Sequence, residues 1–176
     1  MIAKIEDIDI IVAKYLTSLS RLDANRVING NSVHGPDLSK VIQDNISLSY
    51  DLADSVIIFT TSIENNDSDY TEHDSSNVAR NQFSIVVDLT IYGNTSRLIA
   101  EGLKARFETE KIRFNLLQEG LKFKTADEIT SIDDIMNDTV WPRTDMKLHF
   151  ITEMSFDIDD FDAMSISGDI KTSAID

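Results

Sequence analysis

The chain of 176 residues is long enough for one continuous core, and its 41% hydrophobic and 27% charged residues are those of an ordinary globular domain. Its 31 acidic against 16 basic residues give a formal net charge of −15, which argues against tight binding to phosphate backbones or anionic lipid. The lack of cysteine excludes disulfides, thiol nucleophiles and Cys-based metal sites.

The N-terminal MIAKIEDIDI has acids where a signal peptide needs a basic flank. No stretch reaches the roughly 18 apolar residues of a membrane span. The expected setting is the cytoplasm, or something assembled there. From Glu6 to Leu19, the residues Ile8, Ile11, Val12, Tyr15, Leu16 and Leu19 trace one helical face, with Glu6, Asp7 and Asp9 in the first turn, where the helix dipole favours negative charge. This predicts an amphipathic helix that covers a core.

Residues 24–37 read as a long loop, with turn dipeptides at Asn29-Gly30 and Gly35-Pro36. A connection of this length suits a segment that reaches out in an assembly. His34 lies in it without ligand partners at metal-site spacing, and Asp37 is placed to cap a short helix through Ile42.

Val56, Ile57, Ile58 and Phe59 form a buried-strand run. The polar residues 64–80 then lead to QFSIVVDLTIYG, in which Phe83, Ile85, Val87, Leu89 and Ile91 alternate. Two strands joined by an Asp-, Asn- and Ser-rich loop predict a long hairpin. Glu72-His73-Asp74 invites a metal hypothesis, but adjacent residues on an extended chain point to opposite sides, so the spacing favours a solvated loop.

Gly93 supplies a turn, and Asn94 or Thr95 can cap the helix that follows, with Leu98, Ile99, Leu103 and Phe107 as its apolar stripe. A local cluster of cations comes next: Lys104, Arg106, Lys111, Arg113, Lys122 and Lys124. It reads either as a patch facing an acidic neighbour or as a solvated helix face with a lysine-protected strand edge. Leu121, Phe123 and Ala126 mark a third strand. SIDDIMNDTVW is expected to form a short helical piece capped by Ser131, which Trp141-Pro142-Arg143 breaks. In the last strand Met146, Leu148, Phe150, Met154 and Phe156 face one way, and Lys147, His149, Ile151 and Glu153 the other.

From Asp157 the periodicity stops. The expected organisation is a single α+β domain over residues 1–157 and an acidic, flexible C-terminal arm over 158–176, either a mobile tail or an arm that orders only in an assembly. The fold class is a mainly antiparallel sheet on which an N-terminal and a central helix pack. No nucleophile elbow, P-loop, dinucleotide fingerprint, HExxH or zinc spacing occurs. The abundant carboxylates select no catalytic pair.

Four features in order carry a resemblance: DLTIYG, the helix SRLIAEGLKARF, the glycine-turned strand in LLQEGLKFKTADEI, and VWPRTDMKLHF ahead of the last strand. From Asp88 to Ile151 this resembles the neck and tail-terminator proteins of long-tailed phages. The resemblance implies a structural virion protein of the tail and neck, assembled in the host cytoplasm, with no enzymatic activity and no cofactor. It implies a ring, a hexamer, that caps the tail tube, stops its elongation and joins it to the head connector. The implied partners are further copies of the chain, the tail-tube protein and the connector or neck proteins, with the tail-sheath protein a further candidate. DNA passes through the channel without specific binding.

Candidate subunit-interface residues are the six cations together with Trp141 and Arg143, since Trp and Arg are enriched at hot spots. A structural reading stands beside it, with Trp141 plugging the end of the core and Arg143 pairing with a nearby acid. A small acidic adaptor for a basic protein, another tail-completion or tube subunit, and an enzyme with unrecognised carboxylates are the competing readings.

Overall fold

The structure is a computed structural model that describes residues 5–32, 40, 44, 51, 54–64, 71–73, 78–136 and 138–157. Its spine is a pair of long antiparallel strands, β4 (Val78–Tyr92) and β7 (Thr139–Asp157), in register from Val78↔Asp157 to Tyr92↔Arg143. Around it lie β1 (Val27–Asn29), β2 (Val56–Glu64), β3 (Thr71–His73), β5 (Leu121–Ala126) and β6 (Thr130–Met136). The order across the sheet is β1-β2-β4-β7-β5. β3 continues the line of β2 along β4, and β6 continues that of β5 along β7. Among the described strands all pairings are antiparallel except β1 with β2. The expected α+β class and its mainly antiparallel sheet are what the chain adopts.

Among the described residues three α-helices lie against the sheet: α1 (Ile5–Ser20), α2 (Ser96–Phe107) and α3 (Glu110–Gln118). The alternation read in β4 and β7 turns Ile85, Val87, Leu89 and Ile91, with Met146, Leu148 and Phe150, onto the helix-covered face. Ile8, Val12, Leu16 and Leu19 of α1 and Ile99, Ala100, Leu103 and Phe107 of α2 close over them. Phe107, Phe123 and Phe150 meet with centroids 5.6–6.0 Å apart, one pair stacked and two edge-on, both geometries that the ring quadrupole favours. A smaller cluster of Val56, Ile58 and Tyr92, joined by Ile28 and Trp141, occupies the opposite face.

Several expectations are corrected. Residues 131–136 are strand, not helix: β6 pairs antiparallel with β7 as far as Met136↔Thr139, and Asp138 between them takes φ 59°. The three-residue spacing of Ile132 and Ile135 imitates a helical stripe, but the antiparallel pairing offered by β7 overrides it. Nor does Pro142 break the chain, for β7 runs through it. The Pro142 carbonyl accepts from Gly93 N at 2.9 Å, just past the end of the β4 ladder. On a strand the amide points to the same side as the carbonyl, so the missing N–H falls where β4 has turned away and no ladder bond is lost.

Leu98 is 60% exposed; Ala100 takes its place in the stripe. Thr95 is the N-cap of α2 but makes no side-chain cap, because its hydroxyl bonds that of Ser55 at 2.9 Å. The loop of residues 24–37 contains β1, whose Asn29 donates to Asp9 of α1 at 2.8 Å. Lys40, within the expected helix that starts at Asp37, is helical, while Asp37 itself, His34, Asp74 and the arm after Asp157 lie outside the described residues. Among the described residues no helix is long and apolar enough to cross a membrane.

Candidate subunit interface

The six cations do not form one patch; the fold divides them. Lys104 donates to the Asp127 carbonyl at 3.0 Å, and Arg106 donates to the Leu19 carbonyl at the end of α1. These two cations satisfy backbone acceptors inside the domain. Lys111 faces the junction of α3 with α1, where a cavity of about 480 Å³ is lined by Lys14, Tyr15 and Glu119 among others. There Glu119 accepts from Lys14 Nζ at 2.8 Å and from the Tyr15 hydroxyl at 3.1 Å. Burial first, and this carboxylate second, push the Tyr15 hydroxyl up to about 12.

Arg113, Lys122 and Lys124 do converge. They rim a groove of about 410 Å³ between α3 and the sheet edge at β5, walled by Phe114, Leu117 and Ile151 with Phe123 at its floor. The Arg113 guanidinium sits 5.5 Å over the Phe123 ring, within cation–π reach. The register slips between Phe123 and Thr125, so Lys124 is the extra residue of a bulge in an edge strand. Lysines and a bulge on an edge discourage indiscriminate strand addition. They do not hide the groove's apolar walls, since Phe114 is 62% and Leu117 54% exposed.

Among the described residues, none of the six cations has a carboxylate within ion-pair distance. In a chain of net charge −15 that is an uncompensated local excess, and it borders exposed apolar surface. Such a combination fits a partner that is acidic and apolar at once.

Phe114 and Leu117 carry no interface signal when α3 is read for its core face alone. Two apolar pairs, however, occupy opposite sides of this nine-residue helix: Ile112 with Leu116, and Phe114 with Leu117. Leu116 is buried and Ile112 packs against the core, so the second pair must face outward. That double stripe is the signal in the sequence.

Trp141 and Arg143 stand some way along β7, on the face away from the helices. Trp141 packs on the Val56, Ile58 and Tyr92 cluster, with its indole Nε1 buried and unpartnered. Arg143 donates from Nε and Nη2 to the two oxygens of Asp145 at 2.9 and 2.8 Å, and from Nη1 to Asp134 at 3.4 Å. This fork-on-carboxylate geometry holds the guanidinium pKa above its ordinary value. The Tyr92 hydroxyl donates to the same Asp134 oxygen at 3.0 Å, and burial, ahead of that bond, pushes it up to about 12. Further along the same face Lys147 pairs with Asp88 at 3.0 Å and His149 with Asp127 at 2.9 Å. The face is a ladder of partnered polar and charged side chains. Among the described residues no group of three or more His, Asp or Glu is arranged to hold a metal ion.

A family model described as phage neck terminator protein matches residues 6–172, nearly the whole chain. The chain belongs to the phage neck terminator family. This family is a structural, non-enzymatic one, and its members work in the neck of the virion by contact with other tail and head–tail proteins. No curated protein matches the chain.

Proposed function

We propose that this neck terminator closes into a ring, a hexamer, on the last ring of the tail tube. There it stops tube growth and presents a docking face to the head connector. The observation that carries this reading is the α3–β5 groove, with three cations that have no carboxylate in ion-pair distance among the described residues, around exposed Phe114 and Leu117 on an otherwise acidic subunit. A ring of identical subunits closed head to tail needs two different, complementary surfaces on each copy. A cationic apolar groove and an acidic remainder meet that requirement.

Arg113, Lys122 and Lys124 form the contact, while Lys104 and Arg106 support it by fixing α2 to its surroundings. Trp141 and Arg143 shape the end of the sheet nearby in the chain. The negative charge also suits a subunit that surrounds passing DNA without gripping it. The tail-tube protein and the connector are the partners on the two faces of the ring, the tail sheath is a further neighbour, and assembly takes place in the host cytoplasm. Native mass spectrometry of the full chain, alone and with preformed tail tubes, tests this. A closed oligomer, or one ring of subunits per tube end, is expected; a chain that stays monomeric and ignores tubes refutes it.

A further inference from the structure

At the other end of the edge that carries the groove, the β6–β7 hairpin extends past the last β4 pair, Tyr92↔Arg143. From Pro142 to Thr139 this adds four residues, roughly 13 Å of strand. The tip has the opposite chemistry to the groove. Ile132, Ile135 and Val140 are 47%, 71% and 52% exposed, and Ile135 and Val140 are directly cross-strand partners. Asp133 and Asp138 are exposed beside them, and neither has an ion-pair partner among the described residues. One end of the edge is thus apolar and anionic, the other apolar and cationic. Val140 and Ile151 lie 11 residues apart along β7, or roughly 36 Å, too far for the tip to fill the groove of its own chain.

We infer that the β6–β7 hairpin tip of one copy seats in the α3–β5 groove of the next. Ile135 and Val140 cover Phe114 and Leu117, and Asp133 and Asp138 face Lys122, Lys124 and Arg113. The inference rests on the ring reading above and names the contact that closes it. Apolar burial at the centre supplies the attraction, while the flanking charges fix register and reject a head-to-head pairing, which would set cation against cation. Because the two surfaces differ, the contact is heterologous: it propagates around a ring instead of ending at a dimer.

The test uses the full chain with a photo-crosslinking residue in place of Ile135, in mixtures of isotopically light and heavy copies, free and on tail-tube ends. Mixed-isotope crosslinks from position 135 to residues 113–124 are expected. Lys122→Glu with Lys124→Glu, or Asp133→Lys with Asp138→Asn, should each lower their yield about tenfold, as expected when opposed charges become like charges or are lost. Mixing the two variants should restore the yield to within about threefold of the original. All four residues are exposed, and an unchanged Tm in each variant separates loss of contact from loss of fold.

Crosslinks confined to one chain, crosslinks that land on residues 158–176 or on any other surface, or a mixture that fails to restore the yield would each overturn the inference. So would the absence of interchain crosslinks both free and on tubes. A ring that forms while position 135 crosslinks elsewhere removes this contact and leaves the ring standing. Crosslinks into the groove within open chains that never cap a tube keep the contact and remove the ring.

Discussion

Replacing Gly93 by alanine puts the junction of β4 and α2 under direct strain. Gly93 has φ 126°, and an added Cβ would lie 2.6 Å from Ser55 Oγ and 3.2 Å from Ser55 Cα. The backbone conformation alone costs an L-residue about 1–3 kcal/mol. Relief of the contact needs movement of Ser55, whose hydroxyl is held by Thr95 at 2.9 Å, and of a turn tied to β7 by the Gly93–Pro142 bond. Breaking such a bond costs about 1 kcal/mol more. Alanine returns about 0.4–1 kcal/mol by restricting the unfolded chain.

The balance is a loss of about 1–4 kcal/mol for Gly93→Ala, or about 2–15 °C in Tm for a chain of this size. Urea unfolding followed by circular dichroism measures it. A companion variant, Ser55→Gly, removes the Oγ and Cβ that collide but leaves the Cα and the φ strain. The double variant should therefore lose less than the sum of the two single losses, with a coupling of about 1 kcal/mol. A Gly93→Ala protein within about 0.5 kcal/mol of the original, or strict additivity with Ser55→Gly, would refute this account of the turn.

Phe150→Ala, which removes the ring shared by Phe107 and Phe123, should cost about 3–5 kcal/mol; the denaturation midpoint should fall at constant slope. Arg143→Met should cost about 1–2 kcal/mol, because it leaves Asp145 and Asp134 without their shared donor. Lys147→Met, at a pair whose side chains are 53% and 44% exposed, should cost under about 0.5 kcal/mol; equal losses at the two sites would contradict the contrast drawn between them. At alkaline pH, an unfolded tyrosine ionises near 10, whereas Tyr15 and Tyr92 hold their protons to about 12. The unfolded state therefore loses those protons first, and stability that is full below about pH 10 declines as pH rises through 12. Ultraviolet titration should show two late phenols, and early ionisation of both would remove this effect.

The strands whose faces differ in polarity were the most legible in the sequence. Ile85, Val87, Leu89 and Ile91 in β4, and Met146, Leu148 and Phe150 in β7, alternate as they pack, because one side meets helices and the other a charged ladder. β6 was hidden, because it is an edge strand with apolar residues exposed on both faces and its identity comes only from β7. β1 was equally hidden: three residues have no period, and only the parallel partner in β2 defines them. Arg143 could be read as pairing with an acid, yet Asp134 as one partner could not, since that bond needs the hairpin register. The cation cluster illustrates the same limit. Neighbours in sequence become two backbone anchors, one helix-junction lysine and one groove rim, a division that only the packing of α3 against β5 decides.

The β4–β7 spine also governs when this protein becomes available. Its paired residues are 51 positions apart at Tyr92–Arg143 and 79 apart at Val78–Asp157. One of the two spine strands, β7, is the latest of the seven described strands to leave the ribosome. A nascent chain can form α1, the β2–β4 hairpin, α2 and α3 well beforehand, but the face they share stays open until β7 arrives. Long-range pairing of this kind makes folding slow and late. The groove and the hairpin tip come into existence together, because β7 contributes to both. A partly made subunit therefore carries neither the groove nor the tip, and both surfaces wait on completion of the chain.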